Sequence, residues 1–149
     1  MIADPAPPSV SAGAGPGAHL RRVVLGSRSP RRAAAWYRRA FGLPDADSLP
    51  NGGDEALTAG ELELRIAYRS QVAPAAVEPN RLILNFVVED ILEIEARLVA
   101  MEAVWVRELE RTPWGIIGTV LDLDGNLVQI IEPAQQPLPW AATGREEHQ

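Results

Sequence analysis

The side chains able to do chemistry in this chain are few, and they sit at alternating positions of strand-like segments. Glu63 and Arg65 are two residues apart in "ELELRIAY", and Arg22 takes the matching polar side of "LRRVVLGS". A carboxylate beside two guanidinium groups makes a structural ion-pair network, or leaves one surplus positive charge that an anionic or carbonyl-rich ligand would neutralise. Glu63 is also the one plausible general base of the set, should burial raise its proton affinity. Asn85 in "RLILNFVV" and Gln129 in "NLVQIIE" bring carboxamides that both donate and accept. Trp105 and Trp114 bring flat rings suited to stacking on aromatic or conjugated molecules. For Trp105 the plainer alternative is a core or interface position; Trp114 stands in the turn "TPWG", from which it can fold over a pocket.

Composition removes other chemistries. There is no cysteine, which excludes disulfides, thiolate metal sites and cysteine nucleophiles. His19 and His148 are the only histidines, both in or beside the tails, and are read as exposed and unengaged. A formal net charge of −6 opposes nucleic-acid binding, which needs a basic field. No apolar run approaches the roughly 20 residues that span a bilayer, and the first residues lack the basic and apolar regions of a secretory signal. The expected setting is cytoplasmic, with no membrane partner. Abundant alanine, and arginine without lysine, fit a GC-rich bacterial genome.

The elements that must position these side chains are written twice. From Leu20, "LRRVVLGS" puts Val23 and Leu25 on one face and Arg22, Val24 and Gly26 on the other, the period of a half-buried strand. "SPRRAAAWYRRAFG" follows as a helix, with Ser29 placed to cap, Pro30 in the first turn, Trp36 and Tyr37 on the apolar stripe and Gly42 as the stop. Its arginines read as a solvated face. "EALTAG" and "ELELRIAY" read as strands, the second with Leu62, Leu64 and Ile66 inward and Glu63, Arg65 and Ala67 outward, and a short strand is possible at 45–49.

After a Pro-containing linker the pattern restarts. "RLILNFVV" alternates Leu82, Leu84, Phe86 and Val88 against Ile83, Asn85 and Val87, and "DILEIEARLVAM" is an amphipathic helix with Asp90 and Glu93 as a capping box. "EAVWVREL", "GIIGTVLD" and "NLVQIIE" supply three further strands, the last displaying Leu127, Gln129 and Ile131 together. Arg22 precedes Ser29 by seven residues and Ile83 precedes Asp90 by the same seven, so the halves superimpose in register. The expected organisation is a disordered arm at 1–18, a first βαβββ module at 19–68, a linker at 69–80, a second module at 81–133 and a tail at 134–149 that includes Trp140. Residues 20–133 then make one α+β domain of two tandem βαβββ modules, whose curved mixed sheets form a cleft with helices on the outer face.

Together, "RRVVLGSRSPRRAAAWYRRAFGLP", "NFVVEDILEIEARLVAMEAVWV" and "RTPWGIIGTVLDLDGNLVQIIEP" resemble the vicinal oxygen chelate superfamily, which contains glyoxalase I, extradiol dioxygenases and the fosfomycin- and bleomycin-resistance proteins. The last segment is similar to the family's closing hairpin, with Leu123 where its Asp-Pro-Asp-Gly turn has proline. Metal-dependent members place ligands on the free sheet faces, and the resemblance carries those positions onto Arg22, Arg65, Ile83 and Gln129. None suits a divalent cation, which needs imidazole or carboxylate lone pairs.

The resemblance is therefore nearest to the metal-free bleomycin-resistance type. It implies a homodimer, no metal and no cofactor, with sequestration of a hydrophobic, aromatic or conjugated small molecule such as an antibiotic or natural product. The ligand-binding set read from the free face is Arg22, Val24, Glu63, Arg65, Ile83, Asn85, Trp105, Trp114, Leu127, Gln129 and Ile131, with no catalytic residue. One alternative is a metal-free isomerase, cyclase or lyase using Glu63, with an arginine stabilising developing enolate charge. Another is a metal-dependent glyoxalase or dioxygenase.

Overall fold

The computed structural model describes residues 17–47 and 52–135. Nearly all of the expected arm, most of the C-terminal tail with Trp140 and His148, and part of the possible strand at 45–49 lie outside the described residues. The order is β1 (Arg22–Ser27), α1 (Pro30–Phe41), β2 (Glu55–Ala59), β3 (Leu62–Tyr68), β4 (Ile83–Val87), α2 (Ile91–Ala100), β5 (Val104–Thr112), β6 (Gly115–Leu121) and β7 (Leu127–Pro133). A single 3₁₀ turn at Pro79–Arg81 leads into β4. The fold is α+β, as expected, with one mixed sheet ordered β1-β3-β2 and a second ordered β4-β7-β6-β5. In each, the strand before the helix pairs in parallel with the last strand of its half. The first half is shorter by one strand: among the described residues the place of β5 is held there only by a bridge between Asp45 and Leu57.

Local chemistry accounts for the helix ends, with two departures from expectation. Gly42 stops α1 in the left-handed conformation, φ 68°, which costs a glycine no Cβ clash. Ser29 occupies the N-cap position of α1 but makes no capping bond; its N–H instead donates to the Ser27 hydroxyl oxygen. In α2 half of the capping box forms, with Glu93 N–H donating to Asp90 Oδ1, while the Glu93 carboxylate turns to Arg97 at 2.6 Å. Glu132 on β7 serves another donor of the first turn, accepting from the Ile91 N–H at 2.9 Å.

Burial largely follows the pleat, although Ala67 and Leu127, expected on the outward faces of β3 and β7, are buried as well. Leu25, Leu64, Ile66, Val128 and Ile130 are buried on the helix-covered faces, as strand alternation requires. One continuous core takes in these residues, the α1 residues Trp36, Tyr37 and Ala40, and the α2 residues Ile91, Ile94 and Leu98. The helices therefore do more than cover their own sheets. Phe41 of α1 stacks on Phe86 of β4, with centroids 4.2 Å apart and rings within 9° of parallel, so the first helix is packed on the second sheet. The uncovered face of each sheet is turned away from this shared core. No helix among the described residues is long and apolar enough to cross a membrane.

Candidate functional site

The uncovered face of the first sheet carries the charged set. Parallel pairing puts Arg22 opposite Glu63 and Val24 opposite Arg65. Glu63 Oε2 accepts from Arg22 Nε at 2.8 Å and from Arg65 Nε at 2.7 Å. Arg22 is 47% exposed, whereas Glu63 and Arg65 retain only 14% and 11% of their side-chain exposure. One carboxylate oxygen thus collects two guanidinium groups, the ion-pair network that strand parity anticipated. That commitment of its lone pairs works against Glu63 as a proton acceptor toward a substrate.

The second sheet is built differently. Its register sets Ile83 beside Leu127, Asn85 beside Gln129 and Val87 beside Ile131. On the other side of β7, Leu121, Thr119 and Ile117 face Leu127, Gln129 and Ile131 in turn. The result is an apolar face crossed by one polar row, Asn85–Gln129–Thr119. Ile83 and Val87 are 45% and 69% exposed, unusually open for branched aliphatic side chains on a sheet. Ile117, Thr119 and Leu121 were not singled out from sequence, although the alternation in "GIIGTVLD" contains the signal.

Of the two tryptophans in the expected set, Trp105 is placed otherwise. Trp105 pairs with Val120, which is buried, and packs against the core, so it lies on the opposite face of the sheet from Gln129. Gly118 makes this possible: a Cβ there would lie 2.7 Å from the Leu109 side chain and 3.2 Å from the Trp105 ring. Register shifts in β5 on either side of Arg107 hide this placement from simple alternation. Trp114 sits at the β5–β6 turn, 59% exposed, with its N–H donating to the Thr112 hydroxyl oxygen.

The charged and apolar sets occupy separate sheets, and no hydrogen bond or ion pair between described residues joins them. A cleft of about 790 Å³ runs along the free edge of β4. Val23, Phe41, Leu62, Leu84 and Phe86 line it from the core side. Ile83, Asn85 and Val87, which by alternation belong to the uncovered face, line it as well, so the cleft reaches that face at β4. Of the sequence-derived set it contains Glu63, Ile83 and Asn85, and not Arg22, Arg65, Trp114 or Gln129.

The resemblance drawn from the sequence implies a divalent metal at four positions, and the donors here do not fit one. Two of the four positions are guanidinium groups engaged with Glu63, one is aliphatic, and Gln129 offers only a weak amide oxygen. Among the described residues no group of three or more His, Cys, Asp or Glu is arranged to hold an ion.

A polar hub that sequence reading missed fixes the two halves together. Tyr37 of α1 donates to Asp122 Oδ2 at 2.5 Å, and Asp122 also accepts from the Asp124 and Asn126 N–H groups and the Asn126 side chain. Burial, then the Asp122 charge, pushes the Tyr37 hydroxyl well above its ordinary range, so it stays a proton donor. Burial also raises Asp124, opposed by a hydrogen bond from Ser27 and the charge of Arg32 and aided by Asp122. The partners Tyr37 and Asp122 are 85 residues apart, beyond the reach of any local pattern.

A paired α+β module fold with its polar groups on the outer sheet faces defines the architectural class. The profile of the Glyoxalase/Bleomycin resistance protein/Dioxygenase superfamily matches residues 19–130, and the chain belongs to that superfamily. TioX from Micromonospora sp. ML1 is similar at 24% identity and a TM-score of 0.61, over 78% of this chain and 100% of that one. TnmS3, an antibiotic binding protein from Streptomyces sp. CB03234, is similar at 20% identity and 0.63, over 78% and 97%. A lactoylglutathione lyase from Agrobacterium tumefaciens is similar at 21% and 0.57, over 78% and 95%. At these identities the likeness is one of fold, which hosts binders and enzymes alike. No curated protein matches the sequence significantly.

Proposed function

We propose that this protein binds and sequesters a hydrophobic, flat, conjugated small molecule without a metal ion, in the manner of the bleomycin-resistance type. The observation that carries the reading is the apolar cleft of about 790 Å³ along β4, continuous with a sheet face whose polar groups are neutral amides. That volume lies within the range of small-molecule pockets, and the lining is mostly apolar, with Asn85 and the charged Glu63, Glu89, Asp90, Glu93 and Arg97 among it. TnmS3, a similar fold, is described as antibiotic binding, which supports a ligand of that kind.

The reading includes a homodimer in the cytoplasm. Strands β1 and β4 are equivalent edges of their sheets, and Val24, Ile83 and Val87 stand exposed on them.

The test is native mass spectrometry of protein mixed with a library of conjugated natural products, with the released compound analysed chemically. The expected result is a dimer holding one unaltered compound per cleft with no stoichiometric metal. Recovery of a chemically changed compound, lost on Glu63→Gln, would favour the metal-free isomerase, cyclase or lyase; metal at one equivalent per site would favour a glyoxalase or dioxygenase.

A further inference from the structure

The row Asn85–Gln129–Thr119 crosses three adjacent strands of the second sheet. None of the three side chains makes a hydrogen bond to a described residue, although Gln129 and Thr119 are half-buried. Around them lie Ile83, Val87, Leu127 and Ile131, which offer no polar partner. A part-exposed carboxamide on an apolar face turns to water for its bonds, and a ligand that displaces that water must replace them, so such a row selects for what completes it.

We infer that the ligand presents to this row a neutral, planar edge with a hydrogen-bond donor beside an acceptor, as in a lactam or imide ring. This rests on the reading of the protein as a metal-free small-molecule binder and narrows its ligand class. The carboxamide of Gln129 carries an oxygen and an N–H on one edge, the complement of a cis-amide N–H and carbonyl. Two parallel bonds then form, as when Asn or Gln reads the edge of adenine. Asn85 offers a second such edge one strand away, and the Thr119 hydroxyl a donor or acceptor on the other side. Strand spacing makes the row span roughly 10 Å, the length of a small fused-ring system. The guanidinium groups of the first sheet already hold the Glu63 carboxylate.

The test uses 2-quinolone, N-methyl-2-quinolone and naphthalene, each titrated into ¹⁵N-labelled full-length protein. These probes carry the lactam edge, the acceptor alone, and no polar edge. The side-chain NH₂ signals of Asn85 and Gln129 are expected to move with 2-quinolone, while that of exposed Gln71 stays still. The affinity ratio of 2-quinolone to its N-methyl derivative is expected to fall about tenfold in Gln129→Leu, the worth of the one hydrogen bond that the N-methyl probe cannot make. Asn85→Leu, at an exposed position, repeats the measurement if Gln129→Leu fails to fold. An unchanged ratio, with all three probes still bound along β4, overturns this inference and leaves the apolar-binder reading intact. Failure of all three to perturb the second sheet overturns both.

Discussion

Arg22 and Ile83 each stand seven residues before the cap of the helix that follows, and Arg65 and Gln129 each lie on the strand hydrogen-bonded to theirs. These equivalent places in a duplicated frame have opposite contents. In the first sheet the outward groups are charged and satisfied by one another through Glu63. In the second they are neutral, set among aliphatic side chains of which Ile83 and Val87 are exposed and Leu127 is buried, and their side chains make no hydrogen bond to a described residue. The charges of the first face are therefore paired within the chain, whereas the second face keeps its amides open to an added partner. Duplication of a fold does not duplicate a site; it supplies two surfaces, one of which can be spent on structure.

The comparison can be broken most severely by removing the second sheet's closure. Gly115 begins β6 at φ 145°, and a Cβ there would fall 2.1 Å from the Glu132 carbonyl oxygen. Gly115→Ala is expected to cost about 3 kcal/mol or more, read as a lowered midpoint in chemical denaturation. The first sheet's self-pairing is tested by Glu63→Gln, which leaves Arg65, nearly buried, with a neutral neighbour. A loss of about 2 kcal/mol is expected, and no loss would show that the network contributes nothing. Tyr37→Phe, which removes the bond tying the halves, should cost about 1.5 kcal/mol because the acceptor is a buried carboxylate.

Gln129→Leu sharpens the contrast, since no intramolecular bond is lost: stability should stay within roughly 0.5 kcal/mol of the parent while lactam binding weakens. The smallest expected effect concerns Asp124. Its folded-state proton affinity is raised, chiefly by burial, so ionisation costs stability at neutral pH and that cost fades as pH falls through the raised value. Asp124→Asn should accordingly melt slightly higher than the parent at pH 7, with the difference shrinking toward acid pH. A difference that grows on acidification would reverse the assignment.

What sequence by itself determined here is the periodic part. Alternation assigned Leu25, Leu64, Ile66 and Phe86 to one face and Arg22, Glu63, Asn85 and Gln129 to the other, because a strand turns successive side chains to opposite sides whatever it packs against. It likewise exposed the duplication and the Asp90 cap. Tertiary structure alone decided the rest. Trp105 went to the core because β5 is bulged and Gly118 makes room for its ring. Tyr37 found Asp122, Glu132 capped α2, and the helix of the first half packed on the second sheet. These contacts depend on where two distant stretches of chain meet, and that is settled by the packing of one shared core, which no local period encodes.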